Sequence, residues 1–202
     1  MAPELSTFLR RATAYVLTLG GVVGALAAVA LLIEKINSLA DPDYVPVCSI
    51  NPVLSCGSVM STPQAEAFGF PNPIIGVVAF PVVATIGVLL LTGVRLPRWF
   101  WLGLQAGTLF GVGFVHWLFV QSVYEIGALC PYCLVVWAVM LPIFWYTTLY
   151  NLAAGHLPLP VSLRPVGRWL VRYHGAVLTS WYLVLFALVG QAFWWYWSSL
   201  LG

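Results

Sequence analysis

Four cysteines are the residues of this chain with the most distinctive chemistry. They form two pairs, Cys48 with Cys56 and Cys130 with Cys133, in a sequence of 202 residues. The second pair lies in GALCPYCLVVWAVMLPIFWY, residues 127–146, where it precedes a long apolar run. Two thiols separated by two residues can open and close a disulfide, and exchange between pairs proceeds through mixed disulfides. The spacing therefore indicates a redox set.

The residues around the C-x-x-C pair predict that it begins a helix. With Cys130 at the N-cap, Pro131 takes the first helical position, where its missing N–H costs nothing, and Cys133 takes the third. The positive end of the helix dipole stabilises a thiolate there. The alternatives are a static disulfide and a zinc site. Zinc is disfavoured because seven residues separate Cys48 from Cys56, whereas pairs of zinc ligands are usually separated by about two to four.

The elements that carry the cysteines are predicted to lie in a membrane. The chain is 61% hydrophobic and 7% charged, which leaves too few charges to cover a globular surface. A spanning helix needs about 20 apolar residues. Five uncharged runs meet this length: residues 12–33, 67–94, 99–124, 126–163 and 173–202. Prolines delay the second helix to about Ile74 and end the fourth near Asn151.

The positions of the basic residues predict the orientation. Seven of the eight share one side of the membrane: Arg10, Arg11, Arg95, Arg98, Arg164, Arg168 and Arg172. Only Lys35 lies on the other side, together with the cysteines. Because cytoplasmic loops collect Lys and Arg, the N-terminus is predicted inside and the C-terminus outside. The cysteines then face a compartment that permits disulfides.

A cleaved signal peptide is the alternative for the first apolar run. "RR" would begin it, and "SLA" at residues 38–40 would be its cleavage site. The uncharged run has 22 residues, whereas the apolar part of a signal peptide has about 7 to 15. A membrane-spanning helix is therefore favoured.

The order of the motifs resembles the vitamin K epoxide reductase family, specifically its bacterial homologues. The resemblance covers about residues 12–152. It is carried by CSINPVLSCGSVMSTPQAEAFGFPNPIIG, a helical hairpin, and CPYC at the head of the next helix. The DsbB type of quinone-linked thiol oxidase has its C-x-x-C pair first and its spaced pair later, the reverse of the order here.

The resemblance implies an all-α integral membrane protein built on a four-helix transmembrane bundle. Residues 1–152 would form this bundle, with an extracytoplasmic loop at about 34–72. Beyond the range of the resemblance, the charge pattern predicts a basic cytoplasmic loop, 153–172, and a fifth transmembrane helix, 173–202. Many bacterial relatives carry a fused thioredoxin-like domain, so a relative without one would need a separate redox partner.

The resemblance also implies a role for each cysteine. Cys48 would exchange with the soluble partner, Cys56 would pass electrons to Cys130, and Cys133 would face a quinone ring. No metal is expected to take part. These roles follow the order of the motifs in the family.

Three further residues match positions that the family uses around the quinone. Asn72 matches the donor to a quinone carbonyl, and Thr62 occupies a hydroxyl position. Either residue could instead cap the helix that follows it. Trp137 stands where the vertebrate enzymes carry a tyrosine, and its indole N–H donates a hydrogen bond but cannot accept one.

The implied function is oxidation of a separate DsbA-like thioredoxin-fold protein for disulfide formation in exported proteins. The electrons would pass to a quinone, such as menaquinone, ubiquinone or a related compound. The protein would lie in the bacterial cytoplasmic membrane with its active site on the periplasmic face, and it would bind no nucleic acid. The alternative is a non-catalytic membrane protein with two static disulfides.

Two other features of the apolar runs have competing interpretations. Small residues recur every fourth position as Gly103, Gly107 and Gly111, and again as Gly20, Gly24 and Ala28. Both stripes are predicted to be helix-packing faces. His116, within the third run, is either a proton carrier or a neutral hydrogen-bonding residue.

The distribution of arginines generates a topology prediction. A reporter fused after Gly202 is expected to be active outside the cytoplasm, and one fused near Val161 inside it, because the arginines hold their loops in the cytoplasm. Alkaline phosphatase and green fluorescent protein fusions measure the two locations. The reverse pattern would contradict the predicted orientation.

Overall fold

The computed structural model describes residues 3–201, and within them the side chains of residues 7–199. Its regular elements are helices. They are α1 (Pro3–Ala40), α2 (Cys56–Met60), α3 (Pro73–Leu91), α4 (Arg98–Val120), α5 (Pro131–Ala153), α6 (Arg164–Arg172), α7 (His174–Ala192) and α8 (Trp194–Leu201). A π-helical segment (Gln121–Ile126) extends α4, and short 3-10 turns cover Pro63–Glu66 and Val161–Leu163.

The prediction of five membrane-spanning helices is confirmed by α1, α3, α4 with its π-helical extension, α5 and α7. The last apolar run is not one helix, however. It is divided at Phe193, where the backbone leaves helical geometry between α7 and α8. The Phe193 side chain is buried in the core of the bundle, which gives the break its physical reason. Gly202 lies outside the described residues.

The four-helix bundle is centred on α1, which packs against α3 and α5, while α4 packs against α5. The glycine stripe on α1 meets both neighbours, as predicted. A Cβ on Gly20 would lie 3.0 Å from Ile143 of α5, and one on Gly24 would lie 2.6 Å from Phe80 of α3. These glycines allow the helices to approach closely.

In the glycine stripe on α4, one of the three residues packs against a neighbouring helix. Gly111 meets Met140 of α5, with 2.8 Å between the position of an added Cβ and the Met140 Cε. Gly103 and Gly107 meet no heavy atom within 4 Å and line a cavity instead. Their prediction as packing residues was wrong because the same local pattern faces a helix in one case and open space in the other.

The arginines and the redox residues lie at opposite ends of the bundle. The arginine end holds the starts of α1 and α4 and the whole of α6, and the cysteine end holds the starts of α2 and α5. Contacts at the arginine end include the Arg98 Nε donating to the His156 carbonyl at 3.0 Å and the Phe8 ring tilted against that of His174, with centroids 5.4 Å apart. The structure thus reproduces the separation from which the topology was predicted.

Most of the segment predicted as a basic loop, 153–172, is helical. In α6 the arginines recur every fourth residue and are exposed, while Gly167 and Val171 are buried. Val171 packs in a cluster with Leu9 and Leu149. Burial of this small apolar face explains a helix where proline-rich flanking sequence suggested a loop.

The fifth spanning helix, α7, is attached through polar contacts. The Trp181 indole N–H donates to the His116 Nε2 at 3.0 Å, and the Tyr182 hydroxyl donates to the Ala138 carbonyl. The His116 Nδ1 lies 2.7 Å from the Val112 carbonyl, so Nδ1 carries the hydrogen and Nε2 accepts. His116 is therefore a neutral hydrogen-bonding residue that anchors α7, and it does not line the cavity.

Close packing of α1 against α3 generates a stability prediction. A methyl group on Gly21 would lie 2.5 Å from the Ala84 backbone nitrogen, so Gly21→Ala is expected to lower stability by about 1–3 kcal/mol through overpacking. Gly190→Ala is the control, because no heavy atom lies within 4 Å of its added Cβ. Thermal unfolding in detergent measures both. Equal melting temperatures for the two variants would contradict the packing described.

Candidate functional site: two cysteine pairs beside a cavity

A short backbone pairing brings the two cysteine pairs together. The Ser55 N–H donates to the Leu129 carbonyl at 2.9 Å, and the Leu129 N–H donates to the Val53 carbonyl at 2.7 Å. This parallel bridge pairs Leu54, two residues before Cys56, with Leu129, the residue before Cys130. Two segments that are far apart in the sequence are thereby held side by side where they lead into Cys56 and Cys130.

Local turns set the backbone conformation of both segments that form this bridge. The Asn51 Oδ1 accepts the N–H groups of Val53 and Leu54, at 2.9 and 2.8 Å, and shapes the loop. On the other side, Gly127 ends the π-helical segment with a φ of 70°, a left-handed conformation that favours glycine. This turn redirects the chain from α4 into the extended residues before Cys130.

Three of the four sulfurs are in successive contact. Cys48 and Cys56 form a disulfide, and the Cys56 Sγ lies 3.3 Å from the Cys130 Sγ. Cys130 and Cys133 are free thiols. Exchange requires a thiolate to reach one sulfur of a disulfide. The contact selects Cys56 and Cys130 as the pair through which the two dithiols can exchange.

The C-x-x-C pair begins α5 as predicted. Cys130 is the N-cap and Pro131 follows at the first helical position, and the Cys130 Sγ accepts the Cys133 N–H at 3.4 Å. The Cys133 thiol, and then the backbone N–H groups of Cys133 and Tyr132, hold the pKa of Cys130 below its ordinary value, although burial opposes this shift. A lowered pKa favours the thiolate, which is the reactive form.

A cavity of about 540 Å³ lies between the spanning helices and reaches both cysteines of the C-x-x-C pair. Its walls are mostly apolar side chains of α3, α4 and α5. Cys130 and Cys133 lie at its cysteine end, and the loop pair does not line it. The C-x-x-C pair is thus placed between the loop disulfide and an apolar chamber.

Asn72 and Thr62 both line this cavity. Asn72 stands at the N-cap of α3, but its side chain does not cap the helix. Its Nδ2 donates to the Gln64 carbonyl at 2.7 Å, and its Oδ1 accepts the Ala67 N–H at 3.1 Å. One hydrogen of the Asn72 amide remains available to a ligand. The Thr62 hydroxyl donates to the Val59 carbonyl at 2.8 Å, so it also makes no cap.

Trp137 lines the cavity one turn beyond Cys133. Its side chain is only 7% exposed and packs edge-on against Phe119, with ring centroids 5.2 Å apart. Its indole N–H has no hydrogen-bond partner among the residues that the structure describes. An unpartnered indole N–H on a side chain that lines an apolar cavity is suited to donate to a carbonyl of a bound molecule.

Lys35 is a cavity residue to which sequence reasoning gave no role. Its Nζ donates to the Met60 carbonyl at 2.9 Å and lies 3.0 Å from the Glu66 Oε1. These contacts tie α1 to the end of α2, the helix that begins with Cys56. The signal was present in the sequence, since Lys35 is the lone basic residue on the cysteine side.

The sulfur contact generates a cross-linking prediction. In a Cys48→Ser, Cys133→Ser double variant, mild oxidation is expected to join Cys56 to Cys130 rapidly, because their sulfurs already touch. The matched control is Cys56→Ser, Cys130→Ser, which retains Cys48 and Cys133 and is expected to oxidise much more slowly. Mass spectrometry of non-reduced peptides measures the bond. Equal rates in the two variants would refute the assignment of the exchanging pair.

Comparison with known proteins assigns the family. The family model described as the vitamin K epoxide reductase family matches residues 15–148. A search of curated proteins gave no match. The matched range covers more than half of the chain and contains both cysteine pairs, Asn72 and Trp137. The chain, an integral membrane protein with five candidate spanning helices, therefore belongs to the vitamin K epoxide reductase family.

Proposed function

We propose that this protein is a quinone-dependent thiol oxidase. Membership of the family makes it a thiol/disulfide oxidoreductase in general terms. The observation that carries the finer proposal is the position of Cys130. Its sulfur lies 3.3 Å from Cys56, while it and Cys133 line an apolar cavity. The two pairs are therefore in series, with the loop pair toward the outside and the C-x-x-C pair toward the membrane.

The first transfer oxidises a dithiol substrate. A substrate thiolate attacks Cys48, forms a mixed disulfide and releases Cys56 as a thiolate. The second substrate thiol then attacks the mixed disulfide, so the substrate leaves with a disulfide and the loop pair holds two thiols. Two electrons and two protons have moved from the substrate to Cys48 and Cys56.

The second transfer carries the electrons across the sulfur contact. The Cys56 thiolate attacks Cys130 of a closed Cys130–Cys133 disulfide, and Cys133 leaves as a thiolate. Cys48 then attacks Cys56, which closes the loop disulfide and frees Cys130. The products are a loop disulfide and a C-x-x-C dithiol, which is the combination of bonds present in the structure.

The last transfer moves two electrons and two protons from the C-x-x-C dithiol to an acceptor in the cavity. A quinone bound there supplies an acceptor for two electrons and two protons. Cys130 and Cys133 close their disulfide as they lose these electrons. The free amide hydrogen of Asn72 and the unpartnered indole N–H of Trp137 are suited to orient carbonyl oxygens at this end of the cavity. The apolar lining excludes water and leaves room for a lipid-soluble acceptor.

A separate thioredoxin-fold protein of the DsbA type is the proposed substrate. Cys48 is only 5% exposed, but it is flanked by the exposed side chains of Val45, Val47 and Ile50. Exposed apolar residues around a reactive cysteine are suited to docking a partner. With the orientation predicted from the arginines, this surface faces the periplasm and the protein lies in the bacterial cytoplasmic membrane.

The proposed function is preferred to a static disulfide protein for a specific reason. The static alternative requires both pairs to be closed as structural bridges. Cys130 and Cys133 are free thiols here, and one of them touches the loop disulfide. Such a contact is expected where electrons pass between the two pairs, and two independent structural disulfides do not require it.

A reconstituted oxidation assay tests the proposal. Purified protein is mixed with a reduced DsbA-like protein and a menaquinone or ubiquinone analogue, and quinone absorbance and donor thiols are followed together. We expect one quinone reduced for each two thiols lost. Cys133→Ser is expected to abolish quinone reduction, because no dithiol then remains beside the cavity.

Two further variants refine the assay. Asn72→Ala is expected to lower kcat/KM about 5- to 150-fold, the effect of one lost buried hydrogen bond of about 1–3 kcal/mol. Asn37→Ala is the matched control, because Asn37 is an exposed amide near the cysteine end and does not line the cavity. A normal rate of quinone reduction by Cys133→Ser would show that the acceptor site lies elsewhere.

A further inference from the structure

The helix α6 lies outside the redox site. It is also outside the range that the family model matches, residues 15–148, and none of its residues lines the cavity. Successive helical residues are rotated by about 100°, so the surface of α6 is divided into three arcs. One arc is buried, one carries the arginines and one is apolar and exposed. Their members are, in that order, Gly167 and Val171; Arg164, Arg168 and Arg172; and Val166, Trp169 and, just past the end of the helix, Tyr173.

The buried arc fixes how α6 is oriented on the bundle. Val171 packs in one cluster with Leu9 of α1 and Leu149 of α5. The end of α6 is also fixed, because the Trp145 indole N–H of α5 donates to the His174 carbonyl at 2.9 Å, at the start of α7. The other two arcs, called here the arginine arc and the aromatic arc, therefore face away from the bundle.

The length of α7 determines the depth of α6 in the membrane. The 19 residues of α7 extend over about 28 Å, close to the thickness of about 30 Å of the hydrocarbon core. The helix α6 ends at Arg172, two residues before α7 begins. With nine residues, or about 13 Å, α6 is too short to span the membrane itself. It therefore lies at the boundary between hydrocarbon and water, at the arginine end of the bundle.

The aromatic arc has the composition of a surface that contacts acyl chains. Val166, Trp169 and Tyr173 are 50%, 53% and 44% exposed. The rings of Trp169 and Tyr173 are tilted against one another, with centroids 5.4 Å apart. Amphipathic aromatic rings concentrate at the interface between membrane and water. At the depth of α6, the upper part of the acyl chains is the apolar phase that can cover this arc.

The arginine arc carries three positive charges beside the aromatic arc. Its arginines recur every fourth residue and are exposed. Among the side chains that the structure describes, the ion pair found is Lys35 with Glu66, at the cysteine end, so no described carboxylate lies within 4 Å of these guanidinium groups. Five of the six acidic residues belong to the cysteine end, and the side chain of the sixth, Glu4, is outside the described residues. The counter-charge must therefore come from elsewhere.

We propose that α6 is an interfacial helix that binds anionic phospholipids. The arginine arc would hold the negatively charged headgroups, and the aromatic arc would lie among the first carbons of their acyl chains. Phosphatidylglycerol and cardiolipin are lipids of this class. One such lipid matches both arcs at once, because its charged headgroup adjoins its apolar chains. This inference does not depend on thiol or quinone chemistry and stands apart from the proposed function.

Fluorescence quenching at Trp169 tests the proposal. The protein in detergent micelles is titrated with phosphatidylglycerol or phosphatidylcholine, each brominated on one acyl chain. The signal of Trp169 is the difference between each protein and the same protein carrying Trp169→Phe. Half-maximal quenching of Trp169 is expected at a concentration of phosphatidylglycerol more than about tenfold below that of phosphatidylcholine, because three arginines adjoin the headgroup.

Arg168→Gln removes the central charge of the arginine arc. It is expected to raise the half-quenching concentration of phosphatidylglycerol about fivefold, the effect of one arginine near an anionic surface, and to leave that of phosphatidylcholine unchanged. Arg168→Lys keeps the charge and is expected to stay within about twofold of the wild-type protein. Arg164→Gln is a second variant with the same expectation as Arg168→Gln, for the case in which the first impairs folding.

Arg11→Gln is the matched control. Arg11 is an exposed arginine at the same end of the bundle. It lies about 200° around α1 from Leu9, the residue that packs with Val171, and so it faces away from α6. Removal of this charge is expected to leave the quenching of Trp169 by both lipids as in the wild-type protein.

A soluble headgroup distinguishes a lipid from a free phosphate compound as the ligand. Glycerol 3-phosphate, added in excess over brominated phosphatidylglycerol, is expected to leave Trp169 quenched, because it lacks the acyl chains that the aromatic arc covers. Loss of quenching on this addition would show a site for soluble phosphates and overturn the proposal. Equal quenching by the two lipids, or an equal effect of Arg11→Gln and Arg168→Gln, would overturn it as well.

Discussion

The redox site depends on one short backbone pairing. Two hydrogen bonds between residues 53–55 and Leu129 hold the loop against the start of α5. Neither Cys56 nor Cys130 would be positioned by its own helix alone, because α2 is a short helix on a loop and α5 belongs to the bundle. Ordering a loop costs conformational entropy. The pairing nevertheless holds this loop in one position beside the C-x-x-C pair. A sulfur contact of 3.3 Å is the result.

Further contacts fix the part of the loop that carries Cys56. Ser55 accepts the Ser58 N–H and caps α2, and Lys35 binds the carbonyl at the other end of that helix. Cys48 has no such helix of its own and lies among exposed apolar residues. This asymmetry suits the proposed relay, in which one cysteine of the loop pair stays near Cys130 and the other exchanges with the proposed partner.

The bundle combines tight and loose packing for a physical reason. Within lipid, apolar surface gives no strong drive for helices to associate, so close contact depends on small residues. The α1 glycines provide this contact with α3 and α5. No corresponding contact joins α3 to α4, and the cavity occupies that side. The same residue type therefore closes one interface and leaves another open.

The sequence by itself determined the features that depend on local composition and spacing. Charge-free runs revealed the five spanning helices, the arginines separated the two ends, and Pro131 predicted the helix start that places Cys130 at an N-cap. Helices in lipid satisfy their own backbone hydrogen bonds, so their presence can be predicted without knowledge of neighbours. Five of the residues that line the cavity were also singled out, through the order of motifs shared with the family: Thr62, Asn72, Cys130, Cys133 and Trp137.

Only the tertiary structure decided which groups meet. The contact between Cys56 and Cys130 joins residues 74 positions apart. The family resemblance implied transfer between these two cysteines, but no local pattern specifies that their sulfurs touch. The stripes beginning at Gly20 and Gly103 have the same spacing, yet the first touches helices and the second borders a cavity. Likewise, the Trp181 contact resolved the two interpretations of His116. These outcomes depend on what lies opposite each residue, and that is set by the packing of distant segments rather than by the sequence around the residue itself.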